Sequence, residues 1–297
     1  MACLIAMSVA VSAKAAPSSD LWDRWLPHDP VSPITVDHYE WDRMLEVYLK
    51  PGSDGVSRFD YQAVTPHDRA TFLGYLDSLS DVPISECRRE EQLAFWINLY
   101  NALTVNTVLD HYPVESIRDI DISPGLFSKG PWQRKLFTVE GEAVSLDDIE
   151  HRILRPVWQD PRMHYVLNCA AIGCPELNSE AFTADNAEKL MDQSARAYVN
   201  SPHGVTVTAR GLTLSSIYRW YKDDFGKTDD DLLAHIALYA DDTLAKVLAG
   251  RPRILGYHYD WQLNDASDKL SHRSTADRQF ANKIPEDLRD GTGRAFR

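Results

Sequence analysis

Residues 89–111 read REEQLAFWINLYNALTVNTVLDH, and this stretch decides the architecture of the chain. Glu90 and Glu91 stand in its first turn, where the positive end of a helix dipole favours acids, and His111 with Pro113 marks its end. Apolar side chains cover nearly the whole circumference, so the spacing predicts a central, buried helix rather than a surface one. Asn98 and Asn101 share one edge of this rod at i and i+3. A buried amide must find partners. Either the two bind loop backbone and lock the packing, or they line a pocket and align a catalytic imidazole.

Upstream, residues 41–49 and 67–79 repeat apolar residues at helical spacing, the first stopped by Pro51-Gly52. Downstream the period changes. Residues 135–139 and 142–144 alternate around Glu140-Gly141, and 205–208 and 212–214 around Arg210-Gly211; both read as hairpins. Ser145-Leu-Asp-Asp148 is a capping box opening the helix SLDDIEHRILR. Residues 164–168 read as a strand, 184–199, 215–222 and 229–248 as helices, and 253–259 as a last strand. The expected fold is α+β: a helix-rich single domain, residues 35–265, around a buried central helix with a small antiparallel sheet.

The 297 residues are 44% hydrophobic and 25% charged, an ordinary globular composition. Thirty-one Lys and Arg face 44 Asp and Glu, a net charge of -13, which argues against binding nucleic acid or anionic membrane surfaces. The opening MACLIAMSVAVSAKAAPSSD has an apolar run of signal length followed by Ala13-Lys14-Ala15, so residues 1–15 read as an export signal and 16–34 as a linker. That run is too short to span a bilayer, which leaves no membrane span after cleavage and places the protein in the periplasm or outside the cell. Residues 266–297 carry five acids, seven bases and few large apolar residues, and read as a poorly ordered charged tail.

No G-x-G-x-x-G, P-loop, H-E-x-x-H, G-x-S-x-G or EF-hand loop occurs, so no cofactor or metal is assigned. What remains is MHYVLNCAAIGCPEL, residues 163–177. A cysteine is a nucleophile only as thiolate and needs a base or cation beside it. His164 is nearest Cys169, although strand periodicity puts the two on opposite faces. Glu150 and His151 are alternative partners. In an oxidising compartment Cys169 and Cys174 could instead pair as a structural disulfide, leaving Cys87 odd. Metal ligation is disfavoured, since zinc sites use tighter cysteine spacing with more ligands nearby. Glu150, His151 and Arg155 form either a site or an ion-paired helix face. Residues 218–225, YRWYKDDF, form either an aromatic core with helix-end polar groups or a carbohydrate platform, with Trp220 stacking and aspartates such as Asp224 binding hydroxyls.

Six ordered segments resemble one family: QLAFWINLYNALT (92–104), YPVESIRDI (112–120), SLDDIEHRILR (145–155), HYVLNCAAIGCPEL (164–177), LSSIYRWYKDDFG (214–226) and YDWQLN (259–264). They are similar to the "domain of unknown function 547" proteins of bacteria, plants and animals. The family's motif residues fall on Asn98, Asn101, Glu150, His151, Arg155, His164, Cys169, Cys174, Ser215 and Asp224. The resemblance locates a site and names no reaction. Two functional readings follow. One is a thiol-dependent hydrolase or acyl transferase acting on a small molecule or peptide, with Cys169 as nucleophile, His164 as base, and Glu150, Asn98 or Asn101 as orienter. Cys174, His151, Arg155, Trp220 and Asp224 would then contribute to binding. The other is a non-catalytic exported binding or scaffold domain stapled by a Cys169–Cys174 disulfide.

Overall fold

The computed structural model describes residues 18–52, 56–125 and 129–267. The expected export signal and nearly all of the charged tail lie outside the described residues. The stretch expected as a linker is tied to the body from Asp20 onward, whose N–H bonds the His151 carbonyl. Trp25 is 3% exposed, and Arg89 and Gln92 donate to the Leu26 and Pro27 carbonyls at 2.6 and 2.9 Å. The fold thus starts earlier than residue 35.

Helix α1 (Tyr39–Tyr48) buries Trp41, Met44, Leu45 and Tyr48, the stripe of an amphipathic helix. Strands β1 (Leu49–Pro51) and β2 (Ser57–Phe59) follow as an antiparallel pair. Helix α2 (Pro66–Ser80) starts with Thr65 accepting the Asp68 N–H and proline at its first position. Helix α3 (Arg89–His111) buries seventeen of its 23 residues, as its all-round hydrophobicity requires. Its mid-helix threonines are satisfied locally: Thr104 and Thr107 donate to the Tyr100 and Leu103 carbonyls.

Strands β3 (Phe137–Val139) and β4 (Glu142–Val144) form the first expected hairpin. Its two turn residues, Glu140 and Gly141, both have positive φ, 44° and 82°, as a tight hairpin turn demands. A π-helix (Asp148–Leu154) and the short helix α4 (Arg155–Trp158) come next. Then follow α5 (Ala187–Val199), β5 (Val205–Thr208), β6 (Gly211–Ser215), α6 (Ile217–Trp220), α7 (Lys222–Phe225), α8 (Asp229–Tyr239), α9 (Asp242–Ala249) and β7 (Ile254–His258). The β5–β6 pair is antiparallel and β6–β7 parallel, so this three-stranded sheet is mixed while the two hairpins are antiparallel. The class is α+β and helix-rich, as the sequence predicts.

Three expected elements differ. The helix over 215–222 starts only at Ile217, because Ser215 is the last residue of β6, and it breaks at Tyr221 into α6 and α7. The single helix over 229–248 is broken into α8 and α9, because Asp241 leaves helical geometry and caps α9 through the Leu244 N–H at 2.8 Å. The strand over 164–168 is absent. Asp160 caps a 3-10 turn, Pro161–Tyr165, and the alternation in MHYVLN serves to feed two cores rather than two faces of a sheet.

Those cores meet at the site. The larger surrounds α3 and takes in Phe95, Ile97, Ile149, Ile153 and Val166. The second joins Tyr165, Tyr198, Tyr218, Phe225, Leu232 and Ile236 beneath the mixed sheet. Residues 259–266 then run back across the molecule as connecting backbone. Asn264 receives the Phe59 N–H and donates to the Ala170 carbonyl, Leu263 donates to Glu115, and the N–H groups of Ile172 and Gly173 bond Gln262 and Asp260.

Candidate functional site

The π-helix is where the site begins. Pro156 has no N–H to offer the carbonyl one turn back, and its ring crowds that carbonyl, so a regular helix cannot run through the preceding turn undisturbed. The widened register leaves carbonyls free of helical partners, and the N-terminal segment takes two of them: Asp20 N–H bonds the His151 carbonyl and Trp22 N–H the Arg152 carbonyl, each at 3.0 Å. The capping box is formed as expected, with Ser145 and Asp148 exchanging backbone N–H donors. The wide turn carries Glu150 and His151 inward to 7% and 4% exposure.

Arg155 extends from the same segment and grips Asp224 with Nε at 2.7 Å and Nη2 at 3.1 Å. The same carboxylate accepts from His164 Nε2 at 2.7 Å. The Asp224 oxygen only accepts while ionised, so the His164 proton resides on Nε2. His164 Nδ1 faces Glu150 at 3.9 Å, and the Tyr221 ring stacks on the imidazole at 3.9 Å between centroids. Tyr100 donates to Glu150 at 3.1 Å, and the Tyr221 hydroxyl bonds the same carboxylate. His151 lies 3.1 Å from Arg155 Nη1.

These contacts set the charges. Burial alone would raise the Glu150 carboxyl, but the His151 and His164 rings, the Tyr221 hydroxyl and Arg155 together bring it below its ordinary value. Burial also opposes the Asp224 carboxylate, and the hydrogen bonds from His164 and Arg155 outweigh it and hold the group well below the carboxylate range. Burial lowers the His164 imidazole, and Asp224 and Glu150 only partly offset this, so the ring is neutral at pH 7. The arrangement is a desolvated acid–base cluster with two carboxylates held ionised.

Cys169 and Cys174 are joined in a disulfide. Asn101 aims the segment that leads there: its amide donates to the Val166 carbonyl at 2.9 Å and accepts the Asn168 N–H at 2.8 Å. Asn98 holds Phe182 in the same way, at 2.8 and 3.0 Å. Both amides use donor and acceptor on backbone, so in this arrangement they position loops and do not orient an imidazole. Ala170, directly after Cys169, adopts a left-handed φ of 57°, a strained choice for a residue with a Cβ. The Tyr259 hydroxyl stands 3.0 Å from each sulfur, and its ring packs 4.7 Å from both Trp220 and Trp261.

Residues 84–199 match the family model described as "Protein of unknown function, DUF547". This stretch belongs to the DUF547 family. No curated protein and no solved structure matches the chain. Within the DUF547 stretch lie α3, the π-helix, the 3-10 turn and both bridged cysteines; Ser215, Asp224 and Tyr259 reach the same place from beyond it. Ser215 Oγ lies 2.8 Å from the Tyr198 hydroxyl, which donates to the Gly173 carbonyl inside the cysteine loop.

The structure therefore gathers Glu150, His151, Arg155, His164 and Asp224 into one cluster, and the cysteine bridge and Trp220 meet at Tyr259, whose hydroxyl feels the Glu150 charge. It does not assemble a Cys169–His164 pair: the imidazole Nε2 is bonded to Asp224 and the sulfur to Cys174. Sequence reasoning missed Tyr100, Tyr221 and Tyr259. All three sit inside segments that carried the resemblance, and only the fold brings their hydroxyls to a carboxylate or a bridge. A groove of about 220 Å³ is lined by Cys174 together with Glu176, Asn178, Gln193, Ser194 and His203. None of the cluster's charged residues lines it. Among the described residues no group of three or more His, Cys, Asp or Glu is placed to hold a metal ion, and no helix is long and apolar enough to cross a membrane.

Proposed function

We propose that this chain is an exported binding domain, periplasmic or secreted, in which the Cys169–Cys174 bridge staples the loop beside the acid–base cluster. The observation that carries this reading is the commitment of the two groups a thiol enzyme needs. Cys169 shares a bond with Cys174, and His164 donates to Asp224. The ligand is a small molecule or peptide with polar groups complementary to the cluster. Export supplies the oxidising space that keeps such a bridge.

One observation favours a second reading, the thiol-dependent hydrolase or acyl transferase. Tyr259 touches both sulfurs and lies close enough to feel the Glu150 charge, so it links the cysteines to the acid–base cluster. In that reading the reduced pair is the working form, Cys169 attacks and His164 turns from Asp224 to take its proton. Peptide mapping of the secreted protein without reductant separates the two. A quantitative bridge, with a mature N-terminus near Ala16, is the expected result. Rapid iodoacetamide modification of Cys169 before any reduction would sink the staple.

A further inference from the structure

The two sulfurs of the bridge have unequal surroundings. Cys174 is 4% exposed, and its Sγ accepts the Cys169 backbone N–H at 2.9 Å. Cys169 is partly exposed. The Tyr259 hydroxyl is 3.0 Å from each sulfur and must be the donor, because bridged sulfurs carry no proton. Burial raises the phenol well above its ordinary value, so it keeps that proton.

When a thiolate attacks a disulfide, one sulfur is captured and the other departs with the electron pair. The sulfur whose thiolate is better stabilised leaves faster, and N–H and O–H donors stabilise a thiolate. The Tyr259 hydroxyl stands equally close to both sulfurs and can serve either, so the Cys169 backbone N–H decides, and the better stabilised leaving sulfur is Cys174. The attackable sulfur is the more exposed one, Cys169.

We propose that the Cys169–Cys174 bridge is a thiol-exchange site that captures a small cysteinyl thiol at Cys169. The inference goes beyond the staple and rests on the bridged form of that reading. The incoming thiolate, its proton already released to water, forms a new S–S bond with Cys169 Sγ. The Cys169–Cys174 bond breaks, and its electron pair stays on Cys174 Sγ as a thiolate held by the Cys169 N–H and the Tyr259 O–H. No other oxidant or reductant takes part. The reverse step, attack of the Cys174 thiolate on Cys169, expels the small thiol and restores the bridge. Cys169 is only partly exposed, which favours a small thiol over a folded protein.

The test starts from full-length chain already shown to be bridged. It is incubated with glutathione, quenched in acid and mapped by mass spectrometry. The expected product carries glutathione on Cys169 and a free thiol on Cys174. Tyr259→Phe, folded by circular dichroism, should open about tenfold more slowly, the effect of losing one hydrogen bond to a charged sulfur. An adduct on Cys174, entered from its groove, overturns the proposal. So does a native bridge that resists glutathione under conditions that open it in urea, or an unchanged rate in Tyr259→Phe.

Discussion

At Asp224 one carboxylate serves Arg155 through two hydrogen bonds and His164 through a third. Asp224→Asn leaves the guanidinium buried without its counter-charge, and removal of one partner from such a pair costs about 3 kcal/mol. Urea denaturation at pH 7 reads this directly; a change below about 1 kcal/mol would refute the pairing. The folded pKa of Asp224 is depressed, so its contribution is complete above the unfolded value of about 3.9 and is lost as pH falls through the folded one. Asp224→Asn should therefore flatten that part of the acid limb. Asn101→Ala removes both bonds to the backbone of residues 166 and 168 and leaves buried groups unpaired, for a loss of about 2–4 kcal/mol. A fluorescence melt of this variant showing native stability would contradict the positioning role. The Asn98/Asn101 edge was legible as two buried amides needing partners. Their partners were not, because Val166 and Phe182 are separated from them by 65 and 84 residues and only tertiary folding pairs them.

Among the elements, α3 and the capping box at Ser145 declared themselves in the sequence because both signals are local: all-round apolarity and a Ser three residues before an Asp. The π-register was hidden. It arises where Pro156 crowds the turn behind it and where backbone N–H groups of Asp20 and Trp22, over 120 residues away, bond the displaced carbonyls. The parallel β6–β7 pairing was equally hidden, since strand direction is set by how the chain returns after α9. Its weak point is Gly211. Its φ is +150°, and a Cβ there would stand 2.3 Å from the Arg253 carbonyl oxygen, a backbone atom that cannot swing aside. Gly211→Val should cost at least about 2 kcal/mol, from positive-φ strain and lost β6–β7 pairing together. Hydrogen exchange should then show faster exchange in residues 254–258 while α3 stays protected. Uniform loss of protection would argue that the sheet is not a separable element.

Across the whole molecule, His38, His164 and His235 are buried in the neutral form. His38 and His235 are each lowered by burial to about 4, and burial lowers His164 as well. Their unfolded value is about 6.5, so below it the unfolded chain binds more protons and stability falls as pH drops, for His38 and His235 by about 1.4 kcal/mol per pH unit each until pH nears about 4. Denaturation midpoints at pH 7, 5.5 and 4.5 should decline in that order; a level series would mean these rings are not buried neutral. The sequence foretold one core around α3. It did not foretell that Tyr165, Tyr218 and Phe225 would build a second core, leaving the charged cluster in the seam between them. The returning backbone of residues 259–266 has a consequence for biogenesis. Residues 170–173 take their hydrogen bonds from a stretch made roughly ninety residues later, and Phe59 waits about two hundred for Asn264. A ribosome that has released only the DUF547 stretch has therefore made a cysteine loop with no wall behind it. The site can close only after synthesis has passed Asn264, which makes its maturation a late event and any chain shortened before Tyr259 a molecule that carries both cysteines yet never acquires their surroundings.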